Sequence, residues 1–559
     1  MRYFLALALF FASFASAARP QDVLDTPSVT AAARSIRPNA IRGHMDFLTD
    51  PLLQGRAPDS PGYEISARYV ASQLELLGLQ PAGLNSTWFQ SVPFRKSVLD
   101  LSKSSLLLLD SQGKEHPLVD GTDYILTANI VQETVSLEAP VVFVGFGVTA
   151  PEQGYDDYAS IDVKGKIVAF FGGAPPKFPS AVRAYYADDF VKARNAIRHG
   201  AVAIITLTLP EDFKRQPWDW NVPQYRMGEI HWMEPAGQPH NPFSYGGIAL
   251  LNEPAALNFF KGSSATYAQA CANARASTPQ AFPLVWTARI RSKSDWKTFQ
   301  SFNVIAKLEG SDPALRDEYV VYTTHIDHLG ICPAVEGDTI CHGAVDNASG
   351  VATLLEIARA YTLLPQPPRR SILFLFVTAE EAGLLGSDYF VHSPTVPRAK
   401  IVANVNIDEA PGLLYPMKNV APLGAEHSTL QQNAARAASR MGYALVPDPM
   451  PEENNFIRSD QYSFVLGGVP ALDLSDGPDS STPDVQGLEL LKKWLVTRYH
   501  TPLDNMQQPL DFRSAANAAS ANFLLGYDIA ENPTPPSWNP DSYFGQHFGP
   551  NHDSTKPLD

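Results

Sequence analysis

The chain reads ILFLFV from Ile372 to Val377, a stretch without a polar side chain. Such a short apolar run predicts a strand that is buried on both of its faces. Helical patterns lie between the strands of this region, and further strands are predicted at 319–324, 401–407 and 469–474. This alternation predicts an α/β fold, namely a mostly parallel mixed sheet sandwiched by helices.

The first residues, 1–17, have the pattern of a secretory signal peptide. Arg2 supplies a basic start, an apolar run extends from Phe4 to Phe14, and residues 15–17 form a small-residue cleavage site. The apolar run is short for a bilayer span, and an uncleaved membrane anchor is the alternative. We therefore expect a secreted or periplasmic protein without stable membrane insertion after cleavage, and the sequence does not separate these two compartments.

The length of 559 residues predicts more than one domain. Short buried-strand patterns around one helix predict a compact, β-rich insert at 131–281. The larger domain then takes residues 18–130 as its N-terminal part and residues 282–531 as its main part. Residues 532–559 are rich in Pro, Asn and Ser, a composition that predicts a flexible tail.

Composition excludes some partners and sites. The chain has 43 Lys and Arg against 58 Asp and Glu, a net charge of −15, and such a surface repels phosphate backbones, so no nucleic acid partner is expected. Its cysteines, Cys271, Cys332 and Cys341, are too few for a disulfide scaffold and lack the spacing of a cysteine zinc site. Export permits a disulfide between Cys332 and Cys341, which the sequence leaves open.

Acidic and histidine side chains follow several of the predicted strands, and they occur in the order His325, Asp346, Glu381, Asp408 and His500. The carboxyl ends of parallel strands meet at one edge of a sheet, where ligands bind. Three carboxylates gathered there without a cation would repel one another and raise each other's pKa. Two divalent cations remove that repulsion. Mixed nitrogen and oxygen ligands without thiolates suit Zn²⁺, with Co²⁺ or Mn²⁺ as alternatives.

Five motifs occur in an order and spacing that resemble the co-catalytic zinc aminopeptidases, family 28 of the metallopeptidases. They are HID at 325–327, GAVDNASG at 343–350, TAEEAGLLGS at 378–387, NID at 406–408 and YHTP at 499–502. The resemblance covers roughly residues 301–524, with a helix predicted at 41–78 before it. It implies a zinc aminopeptidase/phosphorylase-like fold, whereas any one of these motifs alone would be a weak signal.

The resemblance implies how the metal ligands divide between two zinc ions. Asp346 would bridge the two ions. His325 and Asp408 would complete one site, and Glu381 and His500 the other. The peptide bond that follows Asp346 is expected to be cis.

Other motif residues receive supporting roles from the same resemblance. Glu380 would be the general base, since it lies next to a ligand. Asp327 would accept the second N–H of His325 and fix its tautomer. Arg458 and Asp460 are predicted near the substrate, where Asp460 would position a ligand or the substrate amine, with helix capping as the alternative.

Two further histidines lie close to the motifs but off the family's pattern. His328 is expected at the surface or behind the metal ligands. His342 is expected to be an ordinary loop residue, with a substrate contact as the alternative.

The predicted insert resembles a protease-associated (PA) domain in its segments 141–147, 155–158 and 164–168. Together the resemblances imply an exported metallo-aminopeptidase that removes N-terminal residues from peptides, with the insert covering the cleft.

Three other functions stay open: a glutamate-carboxypeptidase-like peptidase, a glutaminyl cyclase-like transferase and a non-catalytic receptor. The first needs a basic pocket, for which only Arg458 is a candidate. The second generally uses one metal and has no such insert, and the third would have lost the ligands. The sequence does not indicate the preferred N-terminal residue, the metal used in the cell or the oligomeric state.

Overall fold

The computed structural model describes residues 23–215, 217–240 and 246–550. The predicted signal peptide at 1–17 lies outside these ranges. Within them, each helix is too short or too polar to cross a bilayer.

The helices and strands are numbered in chain order. The helices are α1 (Pro27–Arg34), α2 (Pro38–Leu48), α3 (Pro61–Leu76), α4 (Ser180–Ala187), α5 (Asp189–Arg198), α6 (Asp212–Arg215), α7 (Trp218–Arg226), α8 (Glu253–Phe259), α9 (Tyr267–Arg275), α10 (Gly350–Thr362), α11 (Leu385–His392), α12 (Leu430–Arg440), α13 (Gln461–Leu466), α14 (Gly487–Thr497), α15 (Phe512–Glu531) and α16 (Tyr543–Phe548). The strands are β1 (Gln80–Pro81), β2 (Phe89–Leu99), β3 (Ser105–Leu109), β4 (Glu115–Pro117), β5 (Tyr124–Leu126), β6 (Thr134–Val144), β7 (Thr149–Ala150), β8 (Tyr155–Asp156), β9 (Ile167–Phe171), β10 (Ala203–Leu207), β11 (Glu229–Trp232), β12 (Ile248–Leu251), β13 (Ala281–Leu308), β14 (Tyr319–His325), β15 (Gly330–Val335), β16 (Asp338–Cys341), β17 (Ser371–Val377), β18 (Ile401–Asn406), β19 (Asn419–Leu423), β20 (Ala444–Leu445) and β21 (Ala471–Asp476).

The larger sheet has the predicted buried strands at its centre. Its order is β20-β19-β21-β18-β14-β17-β13-β2-β11, with β1 also paired to β13. The four central strands β21, β18, β14 and β17 are parallel. Toward one edge, strands β13, β2 and β11 run antiparallel to their neighbours. Toward the other edge, β19 runs antiparallel to β21 and parallel to β20. The predicted mixed, mostly parallel α/β sheet is confirmed.

Strand β17 shows why an unbroken apolar run was needed there. Ile372, Phe374 and Phe376 point into the core that contains α10 and α15. The alternate residues, Leu373, Leu375 and Val377, point into the core on the opposite face, which contains α11 and α13. Since successive side chains of a strand face opposite sides, helices on both faces require apolar residues at every position.

A second sheet packs beside the first, and strand β13 belongs to both. The second sheet has the order β4-β3-β13-β6-β9-β10-β12-β5. Lys293 of β13 still pairs with β6, and the next residue, Ser294, already pairs with β2 of the larger sheet. The second sheet takes strands from 105–126 as well as from the predicted insert at 131–281, whose boundaries stay a prediction.

Two predicted segments differ from the structure. The helix predicted over 41–78 is interrupted between α2 and α3, because Asp50 caps a short turn after α2 and Ser60 caps a new helix. The tail predicted to be flexible is ordered over 532–550. Its helix α16 buries Phe544 against aromatic residues of both domains, so the Pro-rich composition did not reveal this anchor.

A disulfide joins Cys332 of β15 to Cys341 of β16, with Cα atoms 5.8 Å apart. The two strands form a hairpin in the chain between His325 and Asp346. The disulfide therefore links the two strands of a hairpin within the long loop that connects two of the predicted metal ligands. Cys271 is a buried free thiol.

Candidate metal centre

The strand topology brings the five predicted ligands to one edge of the larger sheet. His325 ends β14, Glu381 lies in the turn after β17, and Asp408 follows β18. Asp346 lies in the tight turn before α10, and His500 lies just after α14. The peptide bond after Asp346 is cis, as the resemblance implied.

Asp346 lies between two groups of ligands. Its Oδ1 is 3.3 Å from Nε2 of His325, which is itself 3.1 Å from Oδ1 of Asp408. Its Oδ2 is 3.2 Å from Nε2 of His500, which is 3.1 Å from Oε2 of Glu381. Ligands bound to one zinc at about 2.0–2.1 Å in tetrahedral geometry lie about 3.3 Å apart. These distances therefore fit two cations that share Asp346.

The polar atoms at the centre support the same interpretation. Nε2 of His500 is buried and has no hydrogen-bond partner among the described residues, although two carboxylates lie close to it. Burial alone would lower the pKa of His500, but Glu381 and Asp346 raise it to about 10. Burial raises the pKa of Glu381, but His500 and His328 bring it down to about 2. Divalent cations would occupy the position between these imidazoles and carboxylates in place of protons.

Asp327 supports the centre differently from the prediction. Its backbone carbonyl, rather than its carboxylate, lies 3.1 Å from Nδ1 of His325, while the nearest carboxylate contact is 4.0 Å. The carboxylate instead accepts hydrogen bonds from the backbone N–H groups of Glu380 and Glu381 at 3.2 and 3.4 Å. The chain turns back directly after β14, which places the carbonyl under the ring. Asp327 therefore connects the ends of two strands.

Glu380 lies inside the same group of side chains. Its Oε2 is 3.8 Å from Nε2 of His325, and its side chain is 9% exposed. Burial raises its pKa well above the usual range, which the nearby carboxylates of Asp408 and Glu381 reinforce. The carboxyl group thus faces the centre without taking one of the shortest ligand positions.

His328 lies behind the proposed metal ligands, which is one of the two places that the sequence analysis expected for it. It is completely buried, and its Nδ1 contacts Oε1 of Glu381. The same nitrogen is 3.8 Å from Oδ2 of Asp346. A Cβ atom at Gly343 would lie 2.6 Å from the His328 ring, so the glycine makes room for the imidazole. His328 therefore orients Glu381, and only its position three residues after His325 hinted at this.

The two predicted substrate residues have different surroundings. Arg458 lines the cavity above the centre, and its Nη2 is 3.2 Å from the hydroxyl of Tyr499. Asp460 is fully buried and is not among the residues that line the cavity. It makes no side-chain capping bond to α13, and burial raises its pKa to about 7. Helix capping by the Asp460 side chain was therefore wrong, and its positioning of Asp408 or of the substrate amine stays a prediction.

The cavity has a volume of about 340 Å³ and a strongly acidic base. The carboxyl groups that line it are Asp188, Asp346, Glu380, Glu381, Asp408, Glu409, Asp473 and Asp476. Its apolar wall consists of Leu423, Met450, Ile457, Leu491 and Leu495. Asp188 and Phe190 at the start of α5 also line it, so the second domain reaches the cavity.

Arg56 holds the loops around the centre together from behind. It is buried, and its guanidinium donates hydrogen bonds to the carbonyl oxygens of Ile326, His342, Gly343 and Leu48. Three of these carbonyls belong to the segments that follow His325 and precede Asp346, and the fourth, that of Leu48, lies at the end of α2. Burial lowers the pKa of Arg56 to about 10, so the side chain is still charged at neutral pH.

Replacing Arg56 with Met is expected to lower the free energy of unfolding by about 3–5 kcal/mol, because several buried carbonyls lose their donor. Denaturant unfolding measures this change. Arg68→Met is the matched control, since Arg68 is exposed, forms an ion pair with Glu64 on α3 and lies over the ring of Phe89. The control is expected to stay within about 1 kcal/mol of the parent. Equal midpoints for both variants would contradict the structural role of Arg56.

Comparisons with known proteins identify the region that carries this centre. The model described as Peptidase family M28 matches residues 303–525. Probable leucine aminopeptidase 2 of Aspergillus fumigatus is 28% identical over 228 residues, 39% of this chain and 42% of that protein. Leupeptin-inactivating enzyme 1 of Streptomyces exfoliatus is 27% identical over 245 residues, 42% of this chain and 50% of that protein. The matched segments thus span about half the length of these relatives.

A solved structure has the same fold over nearly the whole length. The aminopeptidase from Aneurinibacillus sp. strain AM-1 superposes with a TM-score of 0.53 at 20% sequence identity. The superposition covers 92% of this chain and 98% of that protein.

Proposed function

We propose that this chain, whose residues 303–525 belong to peptidase family M28, is an exported aminopeptidase that uses two zinc ions. The observation that carries the proposal is the pair of ligand groups on either side of Asp346, with 3.1–3.3 Å between their nitrogen and oxygen atoms. His325 and Asp408 would hold one ion and Glu381 and His500 the other, with Asp346 shared between them. When bound, the ions supply Lewis-acid chemistry, which polarises a peptide carbonyl and activates water near neutral pH.

Glu380 is the residue of this chain that moves the proton. Its carboxylate takes a proton from the attacking water and returns it to the leaving amine. Since the side chain is buried beside His325, its position is fixed by packing, and proton transfer needs no large rearrangement. Asp327 assists indirectly, because its carboxylate fixes the backbone of Glu380.

The cavity favours a free N-terminus over a C-terminus. Its lining contains carboxyl groups beyond the proposed ligands, among them Glu409, Asp473 and Asp476, whose pKa values are raised by burial. An ammonium group bound beside them would favour their charged form, whereas a carboxylate would add to the repulsion. Arg458 is the cationic side chain that lines it among the described residues, and its Nη2 is engaged by Tyr499. These charges favour an aminopeptidase over the glutamate-carboxypeptidase-like alternative.

The cavity wall suggests the preferred N-terminal residue. The apolar side chains Leu423, Met450 and Ile457 line it together with Leu491 and Leu495. An apolar side chain beside a reacting centre would be bound by burial of its surface. We therefore propose preference for a large aliphatic N-terminal residue, in agreement with the relative named a probable leucine aminopeptidase.

The second domain would restrict access to the cleft. Phe190 projects from the start of α5 toward the cavity, with 46% of its surface exposed. A PA-type insert at 131–281 that covers the cleft would admit short peptides and unfolded N-termini. Export to the periplasm or medium remains part of this proposal.

A substrate panel tests the proposed activity. The zinc-loaded protein is expected to hydrolyse leucyl p-nitroanilide at least about 10-fold faster in kcat/KM than the alanyl compound, since each buried methylene contributes about 0.8 kcal/mol. N-acetyl-leucyl p-nitroanilide should not be cleaved, and chelation should abolish activity until zinc is restored. Cleavage of the acetylated compound, or release of C-terminal glutamate from peptides, would contradict the aminopeptidase assignment.

A further inference from the structure

A second group of potential metal ligands lies on α11 and on the segment that follows β11. We propose that His240, Asp388 and His392 bind a third divalent cation of the zinc class, separate from the pair around Asp346. One ligand atom from each of the three residues lies within 4.8 Å of the other two. Two imidazoles and one carboxylate form a common zinc ligand set in which water completes the coordination.

The distances between the groups are close to those of a coordinated ion. Nδ1 of His392 is 3.2 Å from Oδ1 of Asp388, and Nε2 of His240 is 3.8 Å from Oδ2. Nδ1 of His392 also lies 2.9 Å from the backbone carbonyl of Asp388. The side chain of His392 is 43% exposed, the most exposed of the three, and its ring lies 4.5 Å from that of His240, centroid to centroid. Binding would therefore require a small closure, with His392 as the side chain that moves.

His240 is already oriented as a metal ligand. Its Nδ1 lies 2.6 Å from Oε1 of Glu234, which fixes that nitrogen as the proton donor. The other nitrogen, Nε2, is buried and has no hydrogen-bond partner among the described residues. A carboxylate on the far nitrogen of a histidine is the usual support of a zinc ligand, because it sets the tautomer and the ring orientation.

Surrounding side chains hold the other groups in place. The ring of Trp232 stacks on that of His240, with centroids 3.9 Å apart and an interplanar angle of 11°. The Trp232 indole N–H donates to Oδ2 of Asp388 at 2.7 Å. The carboxylates of Asp388 and Glu234 together carry two negative charges, which balance one divalent cation when both imidazoles are neutral.

The location gives this cation a structural role. Helix α11 begins shortly after Glu381, and β11 pairs with the edge strand β2. Gly228 and Ile230, at the start of β11, line a second cavity of about 450 Å³ that also reaches Glu381 and His500. A cation bound by these three residues would link the segment after β11 to α11, the helix that follows Glu380 and Glu381.

Metal counting tests the proposal. Wild type, His392→Gln and the double variant His240→Gln/His392→Gln are equilibrated with zinc, desalted and analysed by mass spectrometry of the metal. Each variant is expected to hold one zinc per chain fewer than wild type. The single variant changes a half-exposed residue, so it keeps the test available if the double variant misfolds. His116→Gln is the matched control, since His116 forms a comparable pair with Asp110 at 3.0 Å and should keep the wild-type count.

Cobalt provides a second measurement that does not depend on activity. Titration of the apo protein with Co²⁺ should show a set of absorption bands that His392→Gln lacks and that Asp346→Asn retains. An unchanged zinc count and an unchanged cobalt spectrum in both histidine variants would overturn the third site. Loss of zinc in these variants but not in Asp346→Asn would instead overturn the proposed catalytic pair, so the two failures are distinguishable.

Discussion

Glu380→Gln should retain both zinc ions and lose activity, with kcat lowered on the order of 10²–10⁴-fold. The amide has the size of the carboxylate but cannot accept a proton from the attacking water. None of the short ligand distances around Asp346 involves Glu380, so metal binding should survive. Steady-state kinetics on a leucyl substrate, together with zinc analysis of the same sample, measures both quantities.

The control for this variant is Glu489→Gln, an exposed glutamate in the first turn of α14. It removes the same charge without touching the cavity lining, and its kcat should equal that of the wild type. A Glu380→Gln protein that is zinc-loaded and fully active would remove Glu380 from its proposed role. Loss of zinc in that variant would show that Glu380 is a ligand rather than a base.

Asp346→Asn should abolish binding of both zinc ions of the pair, and activity should fall below detection. One oxygen of Asp346 lies 3.3 Å from the His325 nitrogen and the other 3.2 Å from the His500 nitrogen, so one carboxylate serves both positions. The amide supplies a single neutral oxygen. It therefore cannot bridge two cations or balance their charge. His500→Ala, by comparison, should lose only one ion of the pair.

Metal analysis and calorimetric zinc titration of Asp346→Asn check this expectation. Asp295→Asn is the control, because the Asp295 side chain is 74% exposed and makes only a 3.8 Å contact with Lys293. If Asp346→Asn bound one catalytic zinc with near wild-type affinity, the carboxylate would not be the bridge.

The parts of the fold and centre that could be predicted share one property: they depend on local sequence patterns. The apolar run from Ile372 to Val377 requires helices on both faces, and this requirement fixes the sheet type. Once the strands were parallel, His325 and Asp408 had to meet at the same edge. The order of the motifs then supplied Asp346 and His500, which do not lie at strand ends.

What escaped prediction depends on contacts between distant segments. Arg56 looks like any polar residue in a loop, and three of its four carbonyl partners, those of Ile326, His342 and Gly343, are more than 200 positions away. For His328 the sequence left the surface and a place behind the ligands open, and its contact with Glu381 decides between them. In Asp327 the backbone carbonyl contacts His325, whereas the carboxylate accepts hydrogen bonds from the backbone of Glu380 and Glu381. A sequence does not show which of the two groups makes which contact.

The strand β13 has a consequence for how peptides enter. Domains joined by a flexible linker open and close like a hinge, but here one 28-residue strand runs through both sheets. Its pairing passes from β6 at Lys293 to β2 at Ser294 without an unpaired residue, so bending it would break ladder hydrogen bonds on either side. We therefore expect the shared strand to resist hinge motion, so that the fold sets the width of the gap between the two sheets. In the proposed function, the size of the peptide that can enter would then be limited by the fold, and not by a closing motion in each catalytic cycle.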